Sequence, residues 1–206
     1  MELIAYGHGD RKLNKIALTF DDGPNPFWTK RILDVLDKHD IKANFFVLGK
    51  WAEKRKDIVE ETFEKGHLIG NHTYSHPGEG NGDFEKAEEI IFQITGAHTK
   101  FIRPPYNRVD LCNFYEAALN EEARIINNDI IPGDWKNKSE EIRQIIYRQT
   151  QNGSIILLHD GSQREEELEK RPCEMFKVLP EIVEHLKLKF EIVRLDEMAF
   201  FNYVLN

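Results

Sequence analysis

The chain has 206 residues, with 28 Lys and Arg against 36 Asp and Glu, for a formal net charge of −8. That length suits one domain, here expected over residues 1–206, with a core large enough to fold without covalent staples. The acidic balance excludes nucleic acid as an expected partner, and no apolar run approaches the roughly 20 residues of a membrane span. The first ten residues hold Glu2, His8 and Asp10 rather than a basic start and an apolar stretch. They do not read as a signal peptide, so a cytoplasmic location is expected for the chain as written, and an extracellular one if a leader has been removed. Cys112 and Cys173 are too few and too far apart for a disulfide framework or a cysteine metal site, and read as reduced structural thiols.

In chain order, Lys15 to Phe20 reads as a strand closed by Asp21-Asp22-Gly23-Pro24, and Trp28 to Asp40 as a helix carrying Ile32, Leu33, Val35 and Leu36. A strand follows over 43–48, then a helix over 51–65 stopped by Gly66, and a short strand over 67–70. Asp83 is positioned to cap a helix running to Ile94, with Gly96 as its stop. Residues 100–102 are extended and lead into Arg103-Pro104-Pro105, which cannot be helical. A helix is expected over 110–120, a strand over 123–126, a helix over 139–151 and a strongly apolar strand over 154–158. A helix over 173–186 and a strand over 190–193 complete the pattern. Strands that are almost wholly apolar and alternate with helices predict a parallel sheet covered on both faces. An open α/β sheet and a barrel both fit that alternation.

Polar clusters follow the strand ends: Asp21-Asp22, His72 with His76, Arg103 to Tyr106, and His159-Asp160. In parallel α/β folds these ends open on one face, where sites form. Two histidines four apart can share one side of a helix or tight turn and hold a metal, or can be plain surface residues. Adjacent aspartates can be solvated turn formers. Combined with the histidines, one of them makes a two-histidine, one-carboxylate set and the other can serve as a general base. His159, delivered by a buried strand, is either a satisfied core histidine or a general acid, and Trp135 is either core or pocket.

Taken together, Thr19-Phe20-Asp21-Asp22-Gly23-Pro24, His72-Thr73-Tyr74-Ser75-His76, Arg103-Pro104-Pro105-Tyr106, Asp134-Trp135 and Leu157-Leu158-His159-Asp160 resemble the five ordered motifs of the polysaccharide deacetylases, the NodB-homology carbohydrate esterases of family 4. The resemblance implies a distorted (β/α) barrel with fewer than eight units. It implies a metal-dependent hydrolase acting on carbon–nitrogen bonds, which removes the N-acetyl group from N-acetylglucosamine units of chitin-type oligosaccharides or peptidoglycan. By motif position, Asp21 is then the catalytic base, and Asp22, His72 and His76 are the metal ligands. Arg103 orients the base, and the backbone N–H of Tyr106 helps hold the oxyanion. His159 protonates the leaving amine. Trp135 and Leu157 form the slot for the acetyl methyl, and Pro105 and Asp134 join the substrate-binding set. The implied cofactor is a divalent ion; zinc suits the donors best, with cobalt, nickel or manganese as alternatives. The implied partner is an N-acetylated glycan met by a monomer, and the net charge favours a neutral glycan over a polyanion. Nearly all of the length is catalytic domain on this reading, with no separate binding module or wall anchor.

Two positions depart from the family pattern. Asn107 stands where Gly is usual, in a loop whose left-handed geometry Asn tolerates. Ile131 stands where an Asp is usual, so the acidic partner of the catalytic histidine is missing or replaced, with Asp129 and Asp134 as candidates. Lowered activity or a shifted pH optimum is the expected consequence. A hydrolase of small amides or formamides, and a non-catalytic carbohydrate-binding relative, are the competing readings. His67 and His98 read as structural, Trp28 and Trp51 as packing residues, and the charged run 164–171 as solvated, with room for a groove rim.

Overall fold

The computed structural model describes residues 5–78, 83–108 and 123–200. Its strands are β1 (Ala5–Tyr6), β2 (Lys15–Gly23), β3 (Asn44–Val47), β4 (Leu68–Asn71), β5 (Phe101–Ile102), β6 (Arg124–Ile126), β7 (Ile155–His159) and β8 (Glu191–Ile192). The helices are α1 (Thr29–Lys38), α2 (Gly49–Lys54), α3 (Lys56–Glu64), α4 (Phe84–Thr95), α5 (Ser139–Gln149) and α6 (Cys173–Lys187). All strand pairings are parallel, in the order β1-β6-β5-β4-β3-β2-β7, with β8 against the start of β2. Isolated bridges from His8 to Ser154 and from Ile130 to Ile156 draw the two ends of this order together. The result is a distorted (β/α) barrel with fewer than eight regular units, the barrel alternative of the two the sequence left open.

The alternation of β2 explains the layering. Ile16, Leu18 and Phe20 face outward into the large core shared with Leu33 and Leu36 of α1, Ile142 and Ile146 of α5, and Leu179 and Ile182 of α6. The next positions climb the interior. Ala17 joins an apolar floor with Phe46, Phe101, Ile126 and Ile155. Thr19 stands above it, its hydroxyl donating to the Ile156 carbonyl at 2.8 Å, and Asp21 reaches the open end. One strand with period-two alternation thus supplies outer core, inner floor and site.

Several boundaries differ from those the sequence suggests. β2 does not stop at Phe20 but carries both aspartates, because its pairing to β3 continues through a register shift between Asp21 and Gly23. The single helix expected over 51–65 is two helices broken at Arg55, whose φ of −139° and ψ of 53° are not helical. The last strand is only two residues long and pairs with Lys15 and Ile16, and β1 is an added short strand. The helix expected over 110–120, and Cys112, lie outside the described residues; Cys173 is a free thiol. Among the described residues no helix is long and apolar enough to cross a membrane.

His67 behaves as a core residue. It is 1% exposed, accepts the Ala43 N–H on Nδ1 at 3.1 Å and packs edge-on to Phe45. Burial, reinforced by Lys42, pushes its pKa down to about 4. In the unfolded chain the same imidazole takes its proton near pH 6.5. Its contribution to stability is therefore complete above that value and is lost as pH falls from 6.5 toward 4. The urea midpoint should drop between pH 7 and pH 5, and the His67 ring resonances should titrate near 4. An unchanged midpoint with ring titration near 6.5 would contradict this. His98 is exposed and pairs with Glu88 at 3.2 Å.

Candidate active site

Asp21 and Asp22 are adjacent in a strand, where regular geometry would send their side chains to opposite faces. The register shift removes that conflict. Asp22 takes a left-handed φ of 70°, and such bulges re-aim side chains next to sites. Both carboxylates consequently line one cavity of about 530 Å³ at the carboxyl ends of the strands. Two glycines make the bulge fit: a Cβ on Gly161 would run into the Asp22 carbonyl, and one on Gly23 into the Asp160 carboxylate. Gly161→Ala should therefore displace Asp22 and weaken divalent-metal binding by roughly tenfold or more, measured calorimetrically with Zn²⁺. Wild-type affinity in that variant would contradict the packing argument.

His72 and His76 follow β4 on a loop rather than a helix, with Thr73 and His76 both at positive φ. Asn71 Oδ1 accepts the Thr73 N–H, and Thr73 Oγ1 accepts the His76 N–H. The N-terminal N–H groups of Gly49 and Lys50 donate to the carbonyls of Thr73 and Tyr74. Asp83, expected as a helix cap, makes no cap bond. Its Oδ1 instead accepts the N–H groups of Tyr74 and Ser75, at 2.8 and 3.1 Å. The same carboxylate chemistry that suits a cap is used to hold the histidine loop.

His72 Nδ1 lies 2.7 Å from the Arg103 carbonyl. A carbonyl can only accept, so Nδ1 carries the proton and Nε2 keeps its lone pair. That Nε2 and the Nε2 of His76 each lie 3.6 Å from Asp22 Oδ1. These donors are too far apart to hydrogen-bond, and close to the separation of two tetrahedral ligands about 2.0–2.1 Å from a shared ion. Asp22 Oδ1 is buried without a hydrogen-bond partner. The ligand atoms of Asp22, His72 and His76 all fall within 4.8 Å of one another. Burial, with His72 beside it, lowers the His76 pKa to about 4, so the ring is neutral at pH 7. The donor set fits a divalent cation.

Asp21 is held differently. Arg103, 1% exposed, donates from Nη1 to Asp21 Oδ1 at 2.8 Å and to Thr19 Oγ1 at 2.7 Å. It spends its other donors on the carbonyls of Ile126 and Asn127. Its guanidinium lies 4.2 Å from the centre of the Phe46 ring, between the apolar floor and the site. A buried charge so fully paired is costly to break, typically about 3–5 kcal/mol when one partner is removed. Arg103 thus stands behind Asp21 rather than in the cavity.

His159 ends β7, opposite Asp21 in the strand register. Asp134 accepts its Nδ1–H at 2.9 Å and its backbone N–H at 2.8 Å. Burial alone would depress the imidazole pKa; Asp134, helped by Asp22 and Asp21, more than offsets this and pushes it up to about 9. Of the two candidate acids, Asp134 makes the contact to His159 and Asp129 does not. Asp129 is committed to Arg11, Ser154 and the Ile155 N–H. Asp134, grouped by sequence with the substrate-binding residues, touches His159. Ile131 lines the cavity and is 46% exposed.

Trp135 stands edge-on to His159 at 5.3 Å between ring centroids and, with Leu157, lines the cavity. Tyr106 and Asn107 line it too, both at positive φ; Asn107 thus adopts the backbone region for which Gly is usual, and the Tyr106 ring meets His76 edge-on. Pro105 is buried, and its neighbour Pro104 lines the cavity instead. The charged run 164–171, read from sequence as solvated with room for a groove rim, lies in the stretch from Gly161 to Pro172 that forms much of one wall. Trp51 is a packing residue, as expected, buried against Leu48 and Leu168.

Fold and site together define a (β/α)-barrel protein whose strand ends gather a two-histidine, one-carboxylate cluster, an Arg-held aspartate and an Asp-held histidine. The polysaccharide deacetylase family model matches residues 8–121, and the chain belongs to that family. It is 40% identical over 168 residues to a peptidoglycan-N-acetylglucosamine deacetylase of Bacillus cereus, covering 77% of this chain and 61% of that one. A chitooligosaccharide deacetylase of Sinorhizobium fredii is 34% identical over 155 residues, covering 71% of this chain and 72% of the relative. The chain thus spans about three fifths of the length of the Bacillus relative. Among solved structures, a peptidoglycan N-acetylglucosamine deacetylase in complex with a naphthyl N-hydroxybenzamide superposes with a TM-score of 0.84 at 34% identity. That match covers 99% of this chain and 96% of the other.

Proposed function

We propose that this protein is a metal-dependent N-deacetylase that hydrolyses the N-acetyl amide of N-acetylglucosamine units in chitin-type oligosaccharides or peptidoglycan, releasing acetate. The observation that carries this reading is that one cavity gathers Asp21, held from behind by Arg103, and His159, held by Asp134, beside the Asp22–His72–His76 cluster. A divalent cation held there by those three residues, with zinc the best match to the donors, supplies Lewis acidity toward an amide carbonyl. Asp21, oriented by the Arg103 guanidinium, takes a proton as water adds to the carbonyl carbon. The backbone N–H of Tyr106 is assigned to the developing oxyanion, a role in which one fixed donor is worth about 2.7–4 kcal/mol in other enzymes. His159, charged through Asp134, gives its proton to the amine nitrogen as the C–N bond breaks, because an amine anion does not leave unaided. Leu157 and Trp135 bound a slot for a small acyl group, which discriminates by about 1–3 kcal/mol per methylene. The completeness of this set argues against a non-catalytic glycan binder.

The test is an acetate- and formate-release screen over N-acetylchitooligosaccharides, peptidoglycan fragments, small acetamides and formamides. Acetate from the glycans supports the proposal. Release from small amides alone would transfer the same chemistry to another substrate class. No release from any of them by protein shown to hold metal would overturn it.

A further inference from the structure

The stretch from Gly161 to Pro172 follows β7 and walls the cavity with Gly161, Ser162, Gln163, Arg164, Glu167, Arg171 and Pro172. It is not a loosely solvated loop. Side chains from remote parts of the chain donate to its backbone carbonyls. Trp51 Nε1 reaches Ser162 at 2.9 Å, and Lys50 Nζ reaches Gln163 at 2.8 Å. Asn25 Nδ2 bonds Leu168 and Arg171, and Trp28 Nε1 bonds Glu169. Leu168 is buried against Leu48 and Trp51. Within the wall, Glu167 lies 3.6 Å from Arg164 Nη1 and 3.3 Å from Arg171 Nη1, and accepts the Ser162 hydroxyl at 2.9 Å. One carboxylate is shared by two guanidiniums, so the group carries a spare positive charge on a pinned backbone. Both guanidiniums remain accessible, with side chains 67% and 42% exposed.

We infer that Arg164 and Arg171 are specificity-determining residues that recognise a carboxylate on the glycan, so that acidic N-acetylated glycans are preferred to neutral ones. The inference rests on the deacetylase reading and names its substrate class. Guanidinium forks match carboxylates in geometry and are already oriented by Glu167, which lowers the ordering cost of binding. The whole-chain charge of −8, which favoured neutral glycans, does not describe the cavity-lining side of this wall, where Arg164 and Arg171 face Glu167 while Glu165 pairs with Lys54. The acids on the cavity floor are matched there by Arg103, by His159 and by the cation their ligand set fits.

The test compares kcat/KM for acetate release from three oligosaccharides of equal length. One is a neutral N-acetylglucosamine oligomer. The second alternates N-acetylglucosamine with N-acetylmuramic acid and carries free lactyl carboxylates. The third is the same acidic oligomer with those carboxylates converted to amides. A fourth arm, carrying peptide stems on the lactyl groups, separates stem carboxylates from sugar-borne ones as the source. The wild-type ratio of free-acid to amidated substrate, or of stem-bearing to neutral substrate, should exceed 1 and fall with added salt. In Arg164→Gln and Arg171→Gln that ratio should fall roughly tenfold in the double variant, through KM rather than kcat. Arg171→Glu should lower it further. Acetate release from all substrates with the same ratio in wild type and variants would overturn this inference and leave the deacetylase reading standing. No release from any substrate would instead overturn the deacetylase reading itself.

Discussion

Asp22→Asn is expected to abolish both metal binding and acetate release, whereas Asp21→Asn should abolish turnover and keep the metal. The two residues are neighbours with the same chemistry, so only geometry separates them. Asp22 Oδ1 is buried, without a hydrogen-bond partner, and 3.6 Å from both His72 Nε2 and His76 Nε2. Loss of its charge removes one of three ligands. Asp21 Oδ1 is committed to Arg103 at 2.8 Å, leaving its other oxygen to take a proton. Loss of a general base costs on the order of 10²–10⁴ in rate, with metal affinity changed little. Metal content by elemental analysis and acetate release by enzymatic assay, run on both variants, decide it. Retained turnover in Asp21→Asn, or retained metal in Asp22→Asn, would refute the division of roles.

The second large effect lies at Asp134. Here burial acts to lower the His159 pKa, and Asp134 is the chief cause that reverses it to about 9. A general acid works only while protonated, so the basic limb of the wild-type kcat profile should fall through His159 deprotonation at or below about 9. A cation bound to Asp22 cancels part of that residue's contribution and moves the limb downward, but leaves the Asp134 contact in place. In Asp134→Asn the carboxylate is gone and burial dominates. The limb then shifts to lower pH, and kcat near pH 8 falls by roughly 10². Asp129→Asn is the control: its carboxylate serves Arg11, Ser154 and Ile155, and its pH profile should match wild type. Equal shifts in both variants would contradict the assignment.

The site was legible in the sequence where contiguous residues carry it. Asp21-Asp22, His72 with His76, and His159 each fall at a strand end, and parallel topology brings such ends together whatever the details of the loops. What was not legible depends on partners remote in sequence or on backbone conformation. Nothing in the Asp-Asp pair announces that the strand runs on through a bulge at Asp22. Ile131 reads as the loss of an acid, and only the fold reveals that Asp134 reaches both Nδ1 and the backbone N–H of His159. Asp83 has the residue type and position of a helix cap, and the histidine loop competes for the same oxygen. The wall from Gly161 to Pro172 is held by Asn25, Trp28, Lys50 and Trp51, over a hundred residues earlier. No local pattern could have distinguished it from a solvated charge run.

The dependence of deacetylation on a divalent cation held by Asp22, His72 and His76 is the point on which the proposed function turns. Its most direct measurement is acetate release from N-acetylchitooligosaccharide by protein stripped with a chelator, dialysed, and titrated with Zn²⁺, Co²⁺, Ni²⁺ or Mn²⁺. The stripped protein should show no activity, recovery should saturate at one equivalent of metal per chain, and a His72→Ala, His76→Ala double variant should not recover. Undiminished acetate release by protein shown to be metal-free would contradict it.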